Sequence, residues 1–285
     1  MNWRNPQVRD LVLRALQEDI GTGDITTDSI VAEDRQASAR IWAKADGVVA
    51  GLPLLPIVFQ SLDPSVQVEL LATDGQAVTA GTTLARVQGS ARAILTGERV
   101  ALNFLQRLSG IATRTARLVE QIRFYNCRIV DTRKTAPGLR MLEKYAVAAG
   151  GGLNHRFGLY DAVLIKDNHI AIAGGVLEAV SAVRRRLGHT YKIEVEVENM
   201  EQLAQALESG VDIIMLDNMP PEMMKEAVRQ IDGRALVEAS GGITEETLQE
   251  VAKTGVDFIS VGALTHDVKA LDISLDVELG QEAAG

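Results

Sequence analysis

The chain has 285 residues, 46% hydrophobic and 24% charged, an ordinary globular composition with one cysteine, Cys127. A single cysteine excludes an internal disulfide framework and a multi-cysteine zinc site, and 4% aromatics with a formal net charge of -9 disfavour a nucleic-acid binder. No apolar run reaches the roughly 18–20 residues of a membrane span, and the polar start Met1–Asp10 does not read as a signal peptide, so a cytoplasmic protein is expected.

Val8, Leu11, Val12, Ala15 and Leu16 recur at helical spacing and predict an amphipathic opening helix, broken by Glu18–Asp24. From Ala37 to Gly89 short β-like runs alternate with turn signals. The runs are Ala39–Ala43, Val66–Leu71 and Thr83–Val87; the turns fall at Asp46-Gly47, Asp74-Gly75 and Gly81. Gly75-x-x-Val78-x-x-Gly81-x-x-Leu84 resembles the hammerhead repeat of biotinyl and lipoyl carrier domains. No lysine stands at a hairpin tip there, so the segment reads as scaffold. A long helix is expected from about Glu98 to Gln121.

Beyond it the pattern becomes strand, loop, helix, repeated. The predicted strands are Arg128–Asp131, Ala162–Lys166, Lys192–Val197, Asp212–Asp217, Ala235–Ser240 and Phe258–Gly262. Predicted helices between them include Leu177–Leu187, Met200–Ser209, Glu222–Ile231 and Glu245–Lys253. Asn199 with Gln202 resembles a capping box, and Pro220-Pro221 opens a helix. The stretches 209–216 and 254–261 repeat one design, in which a glycine ends a helix and a buried strand follows. Buried strands alternating with helices mean a parallel α/β sheet or barrel. No G-x-G-x-x-G opens the series, which favours a barrel over a Rossmann fold. Six strands rather than eight imply incomplete closure.

The strand ends carry the chemistry. They present Asp131-Thr132-Arg133-Lys134, Lys166-Asp167-Asn168-His169, Asp217-Asn218, Ser240-Gly241-Gly242 and Gly262-Ala263, and Glu194 and Glu196 alternate within the third strand. In a β/α barrel these ends converge on one rim, where active sites are built. A lone lysine or glutamate in an apolar strand is costly unless paired, so six polar ends point to a functional rim. Period two puts Glu194 and Glu196 on one face.

Ser240-Gly241-Gly242 before a helix, beside Val261-Gly262-Ala263, suits a phosphate, because glycines let backbone N–H groups approach an anion. Arginine forks such as Arg133 and Arg156 suit carboxylates, and lysines such as Lys134 and Lys166 suit pyrophosphate. The loop Gly150-Gly151-Gly152 sets up His155 and Arg156. Glu196 and Asp217 suit sugar hydroxyls or Mg²⁺. Between Asp131 and Ile170 six basic residues face four acidic ones, net +2, which leaves -11 for the rest of the -9 total. A basic stretch in an acidic chain points to small anionic ligands.

Three long motifs, Asp131-Thr-Arg-Lys-Thr-Ala-Pro-Gly-Leu-Arg140, Gly150-Gly-Gly-Leu-Asn-His-Arg156 and Leu164-Ile-Lys-Asp-Asn-His-Ile170, resemble the quinolinate phosphoribosyltransferase family. Glu194–Asn199, Ile214–Asn218, Ser240-Gly-Gly and Ser260–Leu264 continue the likeness in order, as do Glu18-Asp19, Asp24–Thr27, Gly97–Arg99 and Leu108–Ala112. Ala136 departs from the leucine common there, a change in packing more than in chemistry.

The resemblance implies an α/β fold: an open, incomplete β/α barrel over 109–266, with a β-rich α+β N-terminal domain over 1–108 that the segment 267–285 joins. It implies transfer from phosphoribosyl pyrophosphate (PRPP) to quinolinate with decarboxylation, giving nicotinate mononucleotide, pyrophosphate and CO₂ for NAD biosynthesis, with Mg²⁺. It implies a homodimer whose site takes Arg99 from the partner. Lys134, Lys166, Glu196 and Asp217 would be catalytic, the last two also touching metal. Arg99, Arg133, His155 and Arg156 would hold the carboxylates, with Thr132 beside them. Ser240, Gly241, Gly242, Val261, Gly262 and Ala263 would form the 5′-phosphate cradle. Alternatives are a related phosphoribosyltransferase for another pyridine or pyrimidine acid, and a non-catalytic barrel that binds a phosphorylated metabolite.

Overall fold

The structure, a computed structural model, describes residues 1–278. In chain order the strands are β1 (Gln36–Ala43), β2 (Gly47–Val48), β3 (Gln67–Leu70), β4 (Ala77–Val78) and β5 (Thr83–Ser90), then β6 (Arg128–Val130), β7 (Val163–Ile165), β8 (Ile193–Val197), β9 (Ile213–Asp217), β10 (Leu236–Ser240) and β11 (Phe258–Ser260), and last β12 (Ile273–Glu278). Contacts divide the chain into two compact units. One holds Met1–Arg114, Pro137–Gly151 and the chain from Asp267; the other holds Thr115–Ala136 and Gly152–His266.

The first unit is built on an antiparallel sheet in the order β12-β1-β5-β3. Its strand β1 buries Ala39, Ile41 and Ala43, alternate positions that form one face of the sheet. The opening helix, Pro6–Ile20, starts at Asn5, whose side chain accepts the Gln7 N–H, and buries Val8, Leu11, Val12 and Leu16. A helix at Leu54–Leu62 was not anticipated; its Leu54, Leu55, Val58 and Phe59 form a continuous apolar run in which strand and helix periods look alike. Asp24 caps a second unanticipated helix, Ile25–Ile30, by accepting the Thr27 N–H.

The long helix spans Ala91–Gln121 and begins seven residues before the expected start. It runs without a break through residue 108, and the division by contacts falls after Arg114. The helix Arg140–Ala149, expected in the barrel, belongs by its contacts to the first unit. Two tethers explain this: Arg107 Nη2 lies 2.6 Å from the buried Glu143 Oε1, and the Tyr145 hydroxyl donates to Asp74 Oδ2 at 2.6 Å. The closing strand β12 lies within the segment 267–285; residues 279–285 of that segment lie outside the described residues.

The second unit is a six-stranded sheet, entirely parallel, in the order β6-β11-β10-β9-β8-β7. It is the expected α/β core of an open barrel: no pairing joins β6 to β7 among the described residues. Helices Val176–Arg186, Met200–Ser209 and Pro221–Ile231 connect successive strands. Asn199 caps the second of these, and Gly210 ends it in the left-handed region. All five residues of β8 are buried, including both glutamates. Register aligns Glu196, Met215 and Glu238 across β8, β9 and β10, and the next rung pairs Asp217 with Ser240. No helix among the described residues is long and apolar enough to cross a membrane.

Candidate active site

The C-terminal ends of the parallel strands surround a cleft of about 410 Å³ within the second unit. Thr132, Arg133, Lys134, His155, Arg156, Lys166, Glu196, Asp217, Ser240, Gly241 and Gly242 line it, as expected from the strand ends. Leu164, Met215, Asn218, Glu238 and Ser260 line it too. None of these five was given a binding or catalytic role from the sequence, although Asn218 stood at a predicted strand end and Glu238 within the predicted strand Ala235–Ser240.

Lys166 follows β7, and its Nζ lies 2.5 Å from Glu196 Oε2 on the neighbouring β8. The Glu196 carboxyl is held above its ordinary range. Burial is the main cause, the Lys166 ammonium opposes it, and Asp217 and Asp167 add repulsion. Lys134 is held by its backbone: its N–H donates to Thr132 Oγ1 at 3.0 Å, and its carbonyl accepts from Thr265 Oγ1 at 2.8 Å.

The arginine side of the cleft rests on buried carboxylates. Asp131, fully buried, accepts the His155 N–H at 2.9 Å. His155 Nδ1 accepts the Arg156 N–H at 2.7 Å, and Nε2 lies 3.0 Å from Glu194 Oε2 and 3.7 Å from Glu238 Oε2. Arg156 Nη1 donates to the Ala162 carbonyl at 3.2 Å. Its guanidinium is disfavoured by burial and by Arg133, and is supported by Glu194 and Asp161. Asp161 also shapes this loop by accepting the N–H groups of Phe157 and Gly158. Glu238 is pushed up to about 7 by burial and by the Glu194 charge, so a proton stays in this cluster near neutrality.

The glycine cradle has a steric reason. Gly241 sits at φ +91°, and a Cβ there would overlap Asn218 Oδ1. Asn218 is itself left-handed and donates its backbone N–H to the Ser240 carbonyl at 2.9 Å. A Cβ at Gly262 would come within 2.9 Å of Lys134 Cδ. The helix expected over Glu245–Lys253 spans Leu248–Ala252, behind a turn from Thr244 to Thr247. The glycine loop, rather than a helix N-terminus, therefore borders the cleft here. Val261, Gly262 and Ala263 follow β11 but are not among the residues lining the cleft. Arg99 belongs to the first unit, on the helix Ala91–Gln121, with its side chain 58% exposed.

Glu196 and Asp217 are oxygen donors close enough to repel each other, a donor set that suits a hard cation such as Mg²⁺. The only group of three or more candidate ligands among the described residues is His155, Glu194 and Glu238.

Two family models match this chain: the quinolinate phosphoribosyl transferase N-terminal domain over residues 24–109, and the C-terminal domain over residues 111–276. A Bacillus subtilis protein named probable nicotinate-nucleotide pyrophosphorylase [carboxylating] is 50% identical over 277 residues, covering 97% of this chain and 96% of its own. An Arabidopsis thaliana protein named nicotinate-nucleotide pyrophosphorylase [carboxylating], chloroplastic, is 46% identical, covering 96% of this chain and 84% of its own. The solved nicotinate-nucleotide pyrophosphorylase of Francisella tularensis superposes with a TM-score of 0.92 at 45% identity, covering 96% of this chain and 97% of that one. This chain belongs to the quinolinate phosphoribosyltransferase family.

Proposed function

We propose that this protein transfers the phosphoribosyl group of PRPP to quinolinate and releases pyrophosphate, CO₂ and nicotinate mononucleotide, a step of NAD biosynthesis. One observation carries the reading: a single cleft joins Arg133 and Arg156 to Lys134, Lys166, Glu196 and Asp217, with Ser240-Gly241-Gly242 on its rim. Such a cleft suits a pyridine dicarboxylate next to a phosphorylated, pyrophosphate-bearing sugar.

Arg133 and Arg156 receive the two carboxylates and orient the ring nitrogen toward the anomeric carbon of PRPP. The nitrogen forms its bond to that carbon as the bond to pyrophosphate breaks. Positive charge develops on the ribose, where Glu196 and Asp217 bind hydroxyls and stabilise it. Lys134 and Lys166 stabilise the leaving pyrophosphate. The product is a pyridinium, and this electron sink accepts the pair left when the adjacent carboxylate departs as CO₂. A proton then replaces the carboxylate on the ring.

Mg²⁺ would supply Lewis-acid stabilisation of the pyrophosphate, with Glu196 and Asp217 as protein oxygens. Gly241, Gly242, Gly262 and Ala263 cradle the 5′-phosphate, with Ser240 and Val261 beside them. The protein acts as a cytoplasmic homodimer in which Arg99 of one subunit completes the quinolinate pocket of the other. Incubation with quinolinate, PRPP and Mg²⁺ should release pyrophosphate and CO₂ in equal amounts. No product at high protein concentration, with nicotinate or another ring acid turned over instead, would overturn the substrate assignment.

A further inference from the structure

Glu194 stands on β8 two residues before Glu196 and shares its face of the strand, yet the proposed chemistry gives it no task. Its side chain is only 4% exposed. A carboxylate buried in a sheet is costly unless a partner compensates it. His155 lies 3.0 Å from it, and the Arg156 guanidinium feels its charge.

The ring of His155 has a defined tautomer. Nδ1 accepts the Arg156 N–H, so that nitrogen carries its lone pair and the ring proton sits on Nε2. Nε2 faces Glu194 Oε2 at 3.0 Å, with Glu238 Oε2 behind it at 3.7 Å. Both ring nitrogens are thus turned to the protein. The ring works as a strut: Glu194 orients it from β8, and its other edge fixes the peptide from which Arg156 enters the cleft. Glu194 also attracts the Arg156 guanidinium against the repulsion of Arg133.

We propose that Glu194 is a positioning residue for the aromatic dicarboxylate, acting through the His155 ring to hold Arg156 in the pose that receives a substrate carboxylate. The inference rests on the quinolinate reading above. It makes His155 a transmitter of position rather than a donor to the substrate, and it gives Glu238 the role of a second wall for the ring.

The test compares wild type, Glu194→Gln and Glu194→Leu in steady-state assays with quinolinate and PRPP varied separately. Glutamine still offers an acceptor to the Nε2–H, so its quinolinate KM should rise only a few-fold, whereas leucine should raise it roughly tenfold or more. The KM for PRPP should stay within about twofold in both, because the strut does not touch the phosphate side. A folded Glu194→Leu protein with a wild-type KM for quinolinate, or with both KM values raised alike, overturns the proposal. Nitrogen-15 NMR of the wild-type imidazoles decides independently of whether the leucine variant folds. His155 should show Nε2 protonated and Nδ1 bare with and without quinolinate; protonation of Nδ1 on quinolinate binding overturns the strut. Absence of quinolinate turnover by wild type overturns the substrate reading and this inference together, whereas normal turnover with an unmoved leucine variant overturns the inference alone.

Discussion

Lys166 and Glu196 meet at 2.5 Å across the neighbouring strands β7 and β8, so an ammonium and a buried carboxylate share one wall of the cleft. The pair sets the charge where ribose and pyrophosphate would separate. Replacing Lys166 by alanine removes a cation from the leaving group and leaves Glu196 without the partner that opposes its upward shift. Lys166→Ala should lower kcat by roughly 100-fold or more, measured as pyrophosphate release. A loss below about threefold would remove Lys166 from the catalytic set.

Arg156 reaches the cleft from a loop held by Asp131 and Asp161, with its guanidinium beside Arg133. Lysine keeps the charge but loses the planar fork. Arg156→Lys should raise the quinolinate KM by roughly 10- to 100-fold and leave the PRPP KM near wild type. Separate titrations of the two substrates measure the split.

Gly241 combines φ +91° with close approach to Asn218. A side chain there is strained twice, by backbone conformation and by overlap. Gly241→Ala should destabilise the fold by about 1–3 kcal/mol and weaken PRPP binding in the surviving folded protein. Thermal melting with and without PRPP checks both effects.

Glu238 has its pKa raised from the ordinary 4.5 to about 7 in the folded chain. The folded state therefore holds a proton that the unfolded chain gives up, and this contribution is full below about 4.5 and fades as pH rises through about 7. Glu238→Gln mimics the protonated form. Its Tm relative to wild type should improve between pH 5 and pH 8. A constant difference across that range would mean that Glu238 is not the group whose ionisation matters.

Arg99 is exposed on its own chain and is proposed to serve the partner's site. Arg99→Ala should weaken quinolinate binding without lowering Tm. Mixing it with Lys166→Ala protein should restore activity, because one of the two sites in a mixed dimer would be intact. No recovery, with subunit exchange demonstrated by mass, would argue for a site completed within one subunit.

Much of the barrel was legible because a buried parallel strand has a plain signature: a short β-branched run, a glycine before it and a polar group at its end. That is why the segments around 193–197, 213–217 and 236–240 were found nearly to the residue. The helix Leu54–Leu62 was not, since its apolar run fits either period. Glu194 and Glu238 stood in plain view as strand residues, yet nothing local joined them to His155. The separation is 39 residues to one and 83 to the other, and only the pairing order of the strands closes it.

By itself, then, the sequence determined the types of group at each strand end, the parallel α/β character of the core and the family likeness, because these depend on local period and on side-chain chemistry. Tertiary structure alone decided which ends are neighbours. The order β6-β11-β10-β9-β8-β7 brings Glu196, Met215 and Glu238 onto one rung and sets His155 against Glu194. Strand order is a property of long-range packing, and no pattern within a strand encodes it.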